Sequence, residues 1–249
     1  MATGARISLS RRNPGLITTP WDGQPSDTHR STLHLLTVGI SQYHDSGFDV
    51  LPYASRSAKA VETALRQQSE NPERPYAGVR VWDGLYDSSA TRANWNQRLS
   101  QMAKEVKADD VVLLYMAGHG RVLVGQEMFY FVPVDGQEQD LPGTGISTAM
   151  LAEALRNLPA RRILLLIDAC QAGGAIEALS KIGAVKAEAE QRKLQRQGFT
   201  TGSTNGVGVH PIAATLPLSY AVGAGLQNGD SALADTFIDA LKQDPDLSL

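Results

Sequence analysis

The sequence predicts an α/β protein in which helices cover both faces of a central, mainly parallel β-sheet. Three segments of the 249-residue chain are rich in aliphatic and β-branched residues: residues 33–41, 111–117 and 163–167. Such runs are typical of strands buried on both faces, because a parallel sheet carries helices on each side. The segments between them have apolar residues at helical spacing and predict those helices.

Strands and helices are expected to alternate along the chain. The first half is predicted to contain strands at 33–41, 79–82 and 111–117, helices at 52–69 and around Trp95–Val106, and an extended piece at 128–134. The second half is predicted to contain a helix after Ser147, a strand at 163–167, a helix-prone stretch at 175–198, a strand-like piece at 209–217 and a helix at 231–241. Ser147 is expected to cap the helix that follows it.

Composition and charge exclude several classes of function. The 23 Lys and Arg residues against 26 Asp and Glu give a net charge of −3, so the chain lacks the basic surplus that neutralises nucleic-acid phosphates. No apolar run approaches the roughly 20 residues that span a bilayer. The single cysteine cannot form an intrachain disulfide, which fits a reducing compartment. We therefore expect a soluble cytoplasmic protein without nucleic-acid or membrane partners.

The chain is expected to hold one domain preceded by an arm. Residues 1–30 are rich in Gly, Pro, Ser, Thr and Arg, which predicts a flexible N-terminal arm, and residues 31–249 form the domain. The chain ends without a clear terminal helix at 244–249, which leaves room for additional domains or partner proteins beyond it.

Two chemically reactive residues follow the two most apolar strands. His119 lies between glycines after the strand at 111–117, and Cys170 follows the strand at 163–167 within the motif DACQAGG. Functional residues gather beyond the carboxyl ends of parallel strands. A cysteine in a tight turn exposes its sulfur, and a histidine can both take and return a proton near neutral pH. Either residue alone is more often structural, so the hypothesis rests on the pair.

The order of these motifs resembles the caspase-like cysteine peptidases. The two residues are 170 − 119 = 51 positions apart, and the caspase signature places its histidine about 50 residues before a Q-A-C-[RQG]-G motif. Asp168-Ala169-Cys170-Gln171 stands where that motif would, with Ala172 delaying the glycine by one position. The acid two residues before the cysteine makes the chain most similar to the prokaryotic metacaspase-type (orthocaspase) branch of family C14. The resemblance covers about residues 33–241.

This resemblance implies a caspase-like αβα sandwich and a cysteine endopeptidase acting on polypeptides. Cys170 would be the nucleophile and His119 the general acid and base. The backbone N–H groups of Gly120 and Cys170 would form the oxyanion hole, and Asp168 would line the S1 pocket. A catalytically silent caspase-like domain that binds or scaffolds partners remains the alternative, because fold alone does not establish activity.

The charge of Asp168 also predicts which substrates are cleaved. A carboxylate at the mouth of a sheet with no fixed cation is costly to bury, and a substrate Arg or Lys would pair with it. We therefore predict cleavage after Arg or Lys, the alternative being that Asp168 bonds backbone N–H groups of its turn. Metacaspases commonly carry a second acid where this chain has Ser57, and Asp49 in the preceding loop is the candidate to replace it.

The segment after the cysteine turn is basic. Residues 181–196 carry five basic and two acidic side chains, a balance of 5 − 2 = +3. An enzyme that cuts after basic residues can cut itself there, so we predict an activation linker at about 181–206, the alternative being a solvated helix face. The candidate self-cleavage residues are Lys181, Lys186, Arg192, Lys193 and Arg196.

One acidic loop is a candidate for binding a metal. Asp135 and Asp140 lie in a segment similar to the calcium loops of some metacaspases, and carboxylate oxygens are ligands that Ca²⁺ prefers. A solvated loop is the alternative. The sequence itself requires no cofactor.

Overall fold

The computed structural model describes residues 31–69, 76–123, 128–196, 207–214 and 230–243. The predicted arm at 1–30 lies outside the described residues. The strands are β1 (Thr32–Gly39), β2 (Gly78–Val81), β3 (Leu85–Tyr86), β4 (Val111–Gly118), β5 (Gly120–Val122), β6 (Phe129–Phe131), β7 (Ile146–Ser147), β8 (Arg162–Ala169) and β9 (Gly208–Ala213). The helices are α1 (Ala54–Gln68), α2 (Arg92–Glu105), α3 (Leu141–Thr144), α4 (Thr148–Asn157), α5 (Gly173–Arg196) and α6 (Ala232–Gln243).

The central sheet is parallel throughout its described strands. Its order is β2-β1-β4-β8-β9, and β3 also pairs with β1. The fold prediction is therefore confirmed: an α/β structure with a central parallel sheet, in the caspase-like arrangement. A second sheet, β5-β6-β7, is small and antiparallel, and only its β6 piece was anticipated by the sequence.

Helices cover both faces of the central sheet. One core includes Trp95 of α2, Leu151 of α4 and Leu179 of α5, while the other includes Val61 of α1 and Phe237 of α6. β4 is buried at all eight positions because both cores meet on it. This two-sided burial explains why its sequence is a continuous apolar run rather than an alternating one.

Side chains that cap helices fix where two of them begin. The Ser147 hydroxyl accepts the Met150 N–H at 3.2 Å, which confirms the cap predicted for α4, and Thr91 accepts the Asn94 N–H at 3.1 Å at the start of α2. Each such cap stabilises its helix by about 1 kcal/mol.

A buried histidine network closes the opposite end of the sheet from the candidate site. His34 Nε2 lies 3.1 Å from Asp110 Oδ2, and Trp82 Nε1 donates to His34 Nδ1 at 3.2 Å. Because Nδ1 accepts from tryptophan, the proton of the neutral ring lies on Nε2 and is donated to the carboxylate. Burial lowers the pKa of His34, although Asp110 opposes the shift and Arg80 and Glu105 also act on the ring.

This network predicts loss of stability in mild acid. The pKa of His34 is lower in the folded chain than the ordinary 6.5, so the unfolded chain binds more protons below pH 6.5 and the free energy of unfolding falls as pH falls. We expect His34→Gln to cost about 1–2 kcal/mol at pH 7.5 and to reduce this pH dependence. Urea unfolding at pH 7.5 and 5.5 measures both effects, with the exposed His44→Gln as control. An unchanged pH dependence in His34→Gln would contradict the assignment.

Candidate active site

The two catalytic candidates lie side by side because β4 and β8 are neighbouring parallel strands. The register places Gly118 of β4 level with Ala169 of β8. His119 and Cys170 are the next residues on the two chains, and neighbouring strands lie about 4.8 Å apart. The structure thus brings these residues, which are far apart in sequence, to one carboxyl edge of the sheet.

The His119 imidazole is held in one orientation by its surroundings. Its Nε2 lies 2.8 Å from the backbone carbonyl oxygen of Asp49, and its ring packs against Tyr43 and Phe48. A carbonyl oxygen only accepts, so Nε2 carries the proton and Nδ1 has the free electron pair. Nδ1 is buried and has no hydrogen-bond partner among the described residues. Burial lowers the pKa of His119, which keeps the ring neutral at pH 7.

Cys170 opens a constrained turn between β8 and α5. The next residue, Gln171, has φ +59°, a left-handed conformation that non-glycine residues rarely adopt. Its side-chain Oε1 accepts the Val122 N–H at 2.6 Å, which ties the turn to β5 and offsets part of that strain. Cys170 itself is half-buried, so its sulfur is neither a core atom nor fully exposed.

Gly120 allows the backbone of β5 to pass close to the cysteine. A Cβ atom at position 120 would overlap the carbonyl oxygen of Cys170. Two hydrogen bonds show which residues of β5 are bonded to β6. The Val132 N–H donates to the His119 carbonyl oxygen, and the Leu123 N–H donates to the Met128 carbonyl oxygen. Gly120 falls between bonded positions of this ladder, so its N–H points away from β6.

Asp168 is buried beside this turn and is held by two hydroxyls. Tyr115 OH donates to its Oδ2 at 2.6 Å, and the Ser231 hydroxyl donates to the same oxygen. Asp168 is 1% exposed, and burial raises its pKa. Burial also raises the pKa of Tyr53 to about 12, and the negative charge of Asp168 adds to the shift. The described partners of Asp168 are thus side-chain hydroxyls. They are not the backbone N–H groups of its turn, which the sequence analysis gave as the alternative.

Asp230 is the carboxylate that the sequence analysis missed. Its Oδ1 accepts from Arg56 Nε at 3.0 Å and from Ser57 Oγ at 3.4 Å. Ser231 joins it to Asp168, because the Ser231 N–H donates to Ser57 Oγ at 3.0 Å while its hydroxyl reaches Asp168. The available signal was the Asp-Ser pair at 230–231, where the predicted helix at 231–241 begins, a typical helix start.

The structure gives the backbone of Asp49 a role beside His119. Asp49 is exposed, and its backbone carbonyl oxygen accepts a hydrogen bond from His119 Nε2. The carboxylate bonded to Ser57 belongs to Asp230. A role of the Asp49 carboxylate in the P1 pocket stays a prediction.

The predicted linker is helical through residue 196. All five candidate cleavage residues lie in α5, which packs on β9 so closely that a Cβ at Gly183 would be 2.7 Å from the Val209 carbonyl oxygen. Lys186 Nζ donates to the carbonyl oxygens of Leu158 and Ala160 at the end of α4, and burial lowers its pKa to about 8. Lys186 is therefore a half-buried anchor that holds α5 against the end of α4. Residues 197–206 lie outside the described residues.

The acidic loop is used for capping backbone groups. Asp140 accepts the Gly143 N–H at 3.0 Å at the start of α3, and Asp135 accepts the Arg92 N–H at 3.0 Å. In the described part of the chain, no three His, Cys, Asp or Glu side chains are grouped to hold a metal ion. None of the described helices is both long and apolar enough to cross a bilayer.

Comparisons with solved structures find a similar fold in one bacterial protein and weaker similarity to two others. A protein from Geobacter sulfurreducens superposes with a TM-score of 0.53 at 16% identity, covering 86% of this chain and 82% of its own. The Drosophila initiator caspase Dronc gives 0.44 at 11% identity, covering 88% and 67% respectively. Raptor from Chaetomium thermophilum gives 0.47 at 14% identity, with 89% of this chain but only 19% of Raptor covered. No curated protein sequence matches this chain.

The family comparison identifies the domain itself. Residues 34–245, most of the chain, match the caspase domain of peptidase family C14. A caspase domain indicates cysteine peptidase activity in general, in agreement with the residues that the sheet brings together. The chain therefore belongs to the caspase-domain family, peptidase family C14.

Proposed function

We propose that this protein is a cysteine endopeptidase that cleaves polypeptides after Arg or Lys through a dyad of Cys170 and His119. The observation that carries the proposal is the register of β4 with β8, which delivers both residues to one edge of the sheet. The free Nδ1 of His119 supports it further, because a buried imidazole nitrogen with no partner among the described residues is available for a thiol proton.

The proposed reaction uses groups of the protein and one water molecule. His119 Nδ1 takes the Cys170 thiol proton, and the sulfur attacks the scissile carbonyl carbon. The backbone N–H groups of Gly120 and Cys170 donate to the resulting oxyanion. His119 then returns the proton to the leaving amine, and a thioester remains on Cys170. Water attacks the thioester as His119 takes its proton, and the carboxylic product and the thiol are released.

The proposed preference for a basic P1 residue rests on Asp168. Its carboxylate is two residues before the proposed nucleophile, at the last position but one of β8. Its recorded partners are the hydroxyls of Tyr115 and Ser231, so a substrate guanidinium or ammonium would supply the missing counter-charge.

Labelling of the single thiol tests the dyad. An electrophilic peptidyl ketone ending in Arg should add once per chain, at Cys170, and Arg- and Lys-terminated fluorogenic peptides should be cleaved faster than Asp-terminated ones. We expect Cys170→Ala to abolish turnover and His119→Ala to lower it by about 100-fold or more. The matched control is the exposed His44→Ala, which should behave as wild type. Absent turnover, with labelling that His119→Ala does not slow, would favour the silent binding domain.

The pH profile tests the protonation state assigned to His119. Burial lowers the pKa of His119, and the positive charge of Arg121 lowers it further. As the pH is lowered, kcat/KM should therefore decrease only below pH 6.5. Arg121→Gln removes a cationic neighbour, so it should raise that pKa and move the acid limb to higher pH. Arg80→Gln, at the far end of the sheet, should leave the limb in place. An acid limb above pH 6.5 in the wild-type protein would contradict the assignment.

Self-cleavage is proposed at the end of α5. A peptidase binds an extended chain, so the residues inside the helix are shielded and Arg196, the last helical residue, is the exposed candidate. The 24-residue helix is about 36 Å long, which separates Arg196 from the Cys170 of the same molecule. Mass spectrometry should therefore find a cut after Arg196 whose rate rises with protein concentration, with or without Ca²⁺. The Arg196→Gln variant should lack this cut, and the Arg192→Gln variant should retain it. Processing of isolated Cys170→Ala protein would refute self-cleavage.

A further inference from the structure

The two buried carboxylates near the cysteine belong to one hydrogen-bonded cluster. Its members come from separate parts of the fold: Tyr115 from β4, Asp168 from β8, Arg56 and Ser57 from α1, and Asp230 and Ser231 from the segment that starts α6. Ser231 also caps α6, because its hydroxyl accepts the Ala234 N–H at 3.1 Å. The positive end of that helix thus favours negative charge at this place.

Each carboxylate has one oxygen bonded inward and one left open. Both donors to Asp168 bind Oδ2, and both donors to Asp230 bind Oδ1. Asp168 Oδ1 and Asp230 Oδ2 accept no recorded hydrogen bond from the described residues. Asp168 is 1% and Asp230 8% exposed as whole residues, but neither outer oxygen is a fully buried atom without a partner. Each outer oxygen therefore keeps a small accessible surface at which a cation can bind.

The cluster contains one cation, Arg56, and it is poorly placed to neutralise both acids. Arg56 reaches Asp230 through Nε, and its side chain is 52% exposed. Its recorded ion pair is with Asp230, whereas Asp168 is held by hydroxyls. Among these side chains, two carboxylates therefore face a single guanidinium, and one negative charge is left uncompensated.

We propose that Asp230 is the second specificity-determining carboxylate of the P1 pocket and that Arg56 weakens its attraction for a cationic substrate. This inference rests on the proposed endopeptidase function and names the residues that set its specificity. Asp168 and Asp230 each offer an open oxygen to the guanidinium or ammonium of P1. Arg56 neutralises part of the charge of Asp230, so the preference for a cationic P1 is smaller than two free carboxylates would give.

The geometry favours a side-chain cation over a metal ion. Two carboxylates with hydroxyl donors on their inner oxygens leave two acceptor atoms, whereas Ca²⁺ takes six to eight oxygen ligands. A guanidinium carries several N–H donors in a fixed plane and suits two acceptors from different side chains. Asp230 also places a carboxylate beside Ser57, the position where metacaspases commonly carry an acid. The Ser57 hydroxyl donates to this carboxylate.

Comparison of a charged and a neutral P1 residue tests the proposal. Two fluorogenic peptides that differ only in Arg or citrulline at P1 give a ratio of kcat/KM that isolates the charge. We expect Asp230→Asn to lower this ratio by about 10-fold or more, because it removes charge at nearly constant shape. Arg56→Gln should act in the opposite direction and raise the ratio by about threefold, since its ion pair is partly exposed. Asp109→Asn, which removes a mostly exposed carboxylate at the opposite end of the sheet, should leave the ratio unchanged.

The ratio separates specificity from damage to the fold. A variant that is merely destabilised loses activity toward both peptides equally, so an unchanged Arg-to-citrulline ratio in Asp230→Asn overturns the proposal whatever the absolute rate. A lower ratio in Arg56→Gln overturns the part assigned to Arg56, because it would show that this side chain aids substrate binding.

A binding measurement keeps the inference distinct from the catalytic proposal. Calorimetry of a tripeptide that ends in Arg with Cys170→Ala protein requires no chemistry at the sulfur. We expect binding that is at least 10-fold weaker in the Asp230→Asn, Cys170→Ala double variant. If wild-type protein cleaves neither peptide but this difference persists, the endopeptidase proposal fails and the cation pocket stands. Equal binding by the two proteins overturns the pocket.

Discussion

The site depends on the in-register pairing of β4 with β8. Eight consecutive residue pairs, from Val111 with Arg162 to Gly118 with Ala169, fix how far each strand extends. Because side chains alternate along a strand, a shift of one residue would exchange the side chains that face the two apolar cores and would separate the histidine from the cysteine. The apolar cores on both faces oppose such a shift, so packing far from the sulfur also determines the geometry of the proposed dyad.

The carboxylate cluster shows how the fold tolerates charge near its core. Burial removes water from the Asp168 carboxylate and raises its pKa. The hydroxyls of Tyr115 and Ser231 partly compensate for the lost water. A buried arginine in the same place would satisfy the charge completely but would leave nothing for a ligand to bind. Hydroxyl donors instead hold the carboxylate in position while its charge remains unneutralised. In the proposed function, the arrangement sacrifices some stability of the folded chain for a site that attracts a cation.

The cysteine turn and α5 form one continuous segment, which links the site to the rest of the domain. The strained Gln171 lies at the start of this segment, and its amide side chain holds β5 beside the turn. Farther along, Lys186 fastens α5 to the end of α4 through two carbonyl oxygens. Movement of α5 would therefore be transmitted to the turn at Cys170. This coupling gives a physical route by which cleavage near residue 196 would affect the site.

Local sequence determined the strands, the principal helices and the two residues that end the longest strands. The apolar runs at β4 and β8 require burial on both faces, and the glycine-flanked His119 and the DACQAGG turn can be identified without coordinates. The short antiparallel sheet was largely missed because two- and three-residue strands such as β7 and β5 carry too little pattern. A basic composition predicted a linker at about 181–206, and the structure shows that its part up to residue 196 is helical and packs on β9.

The tertiary structure alone decided which distant residues complete the site. Asp230 and Arg56 are 174 positions apart, and Tyr115 and Ser231 are 116 apart, so no spacing rule along the chain joins them. Asp49 was chosen for its acid group but contributes a carbonyl oxygen, which every residue possesses and no sequence pattern marks. A sequence encodes the secondary structure that each segment favours. Where its polar atoms find partners depends on how the helices pack across the sheet, and that packing is a property of the whole chain.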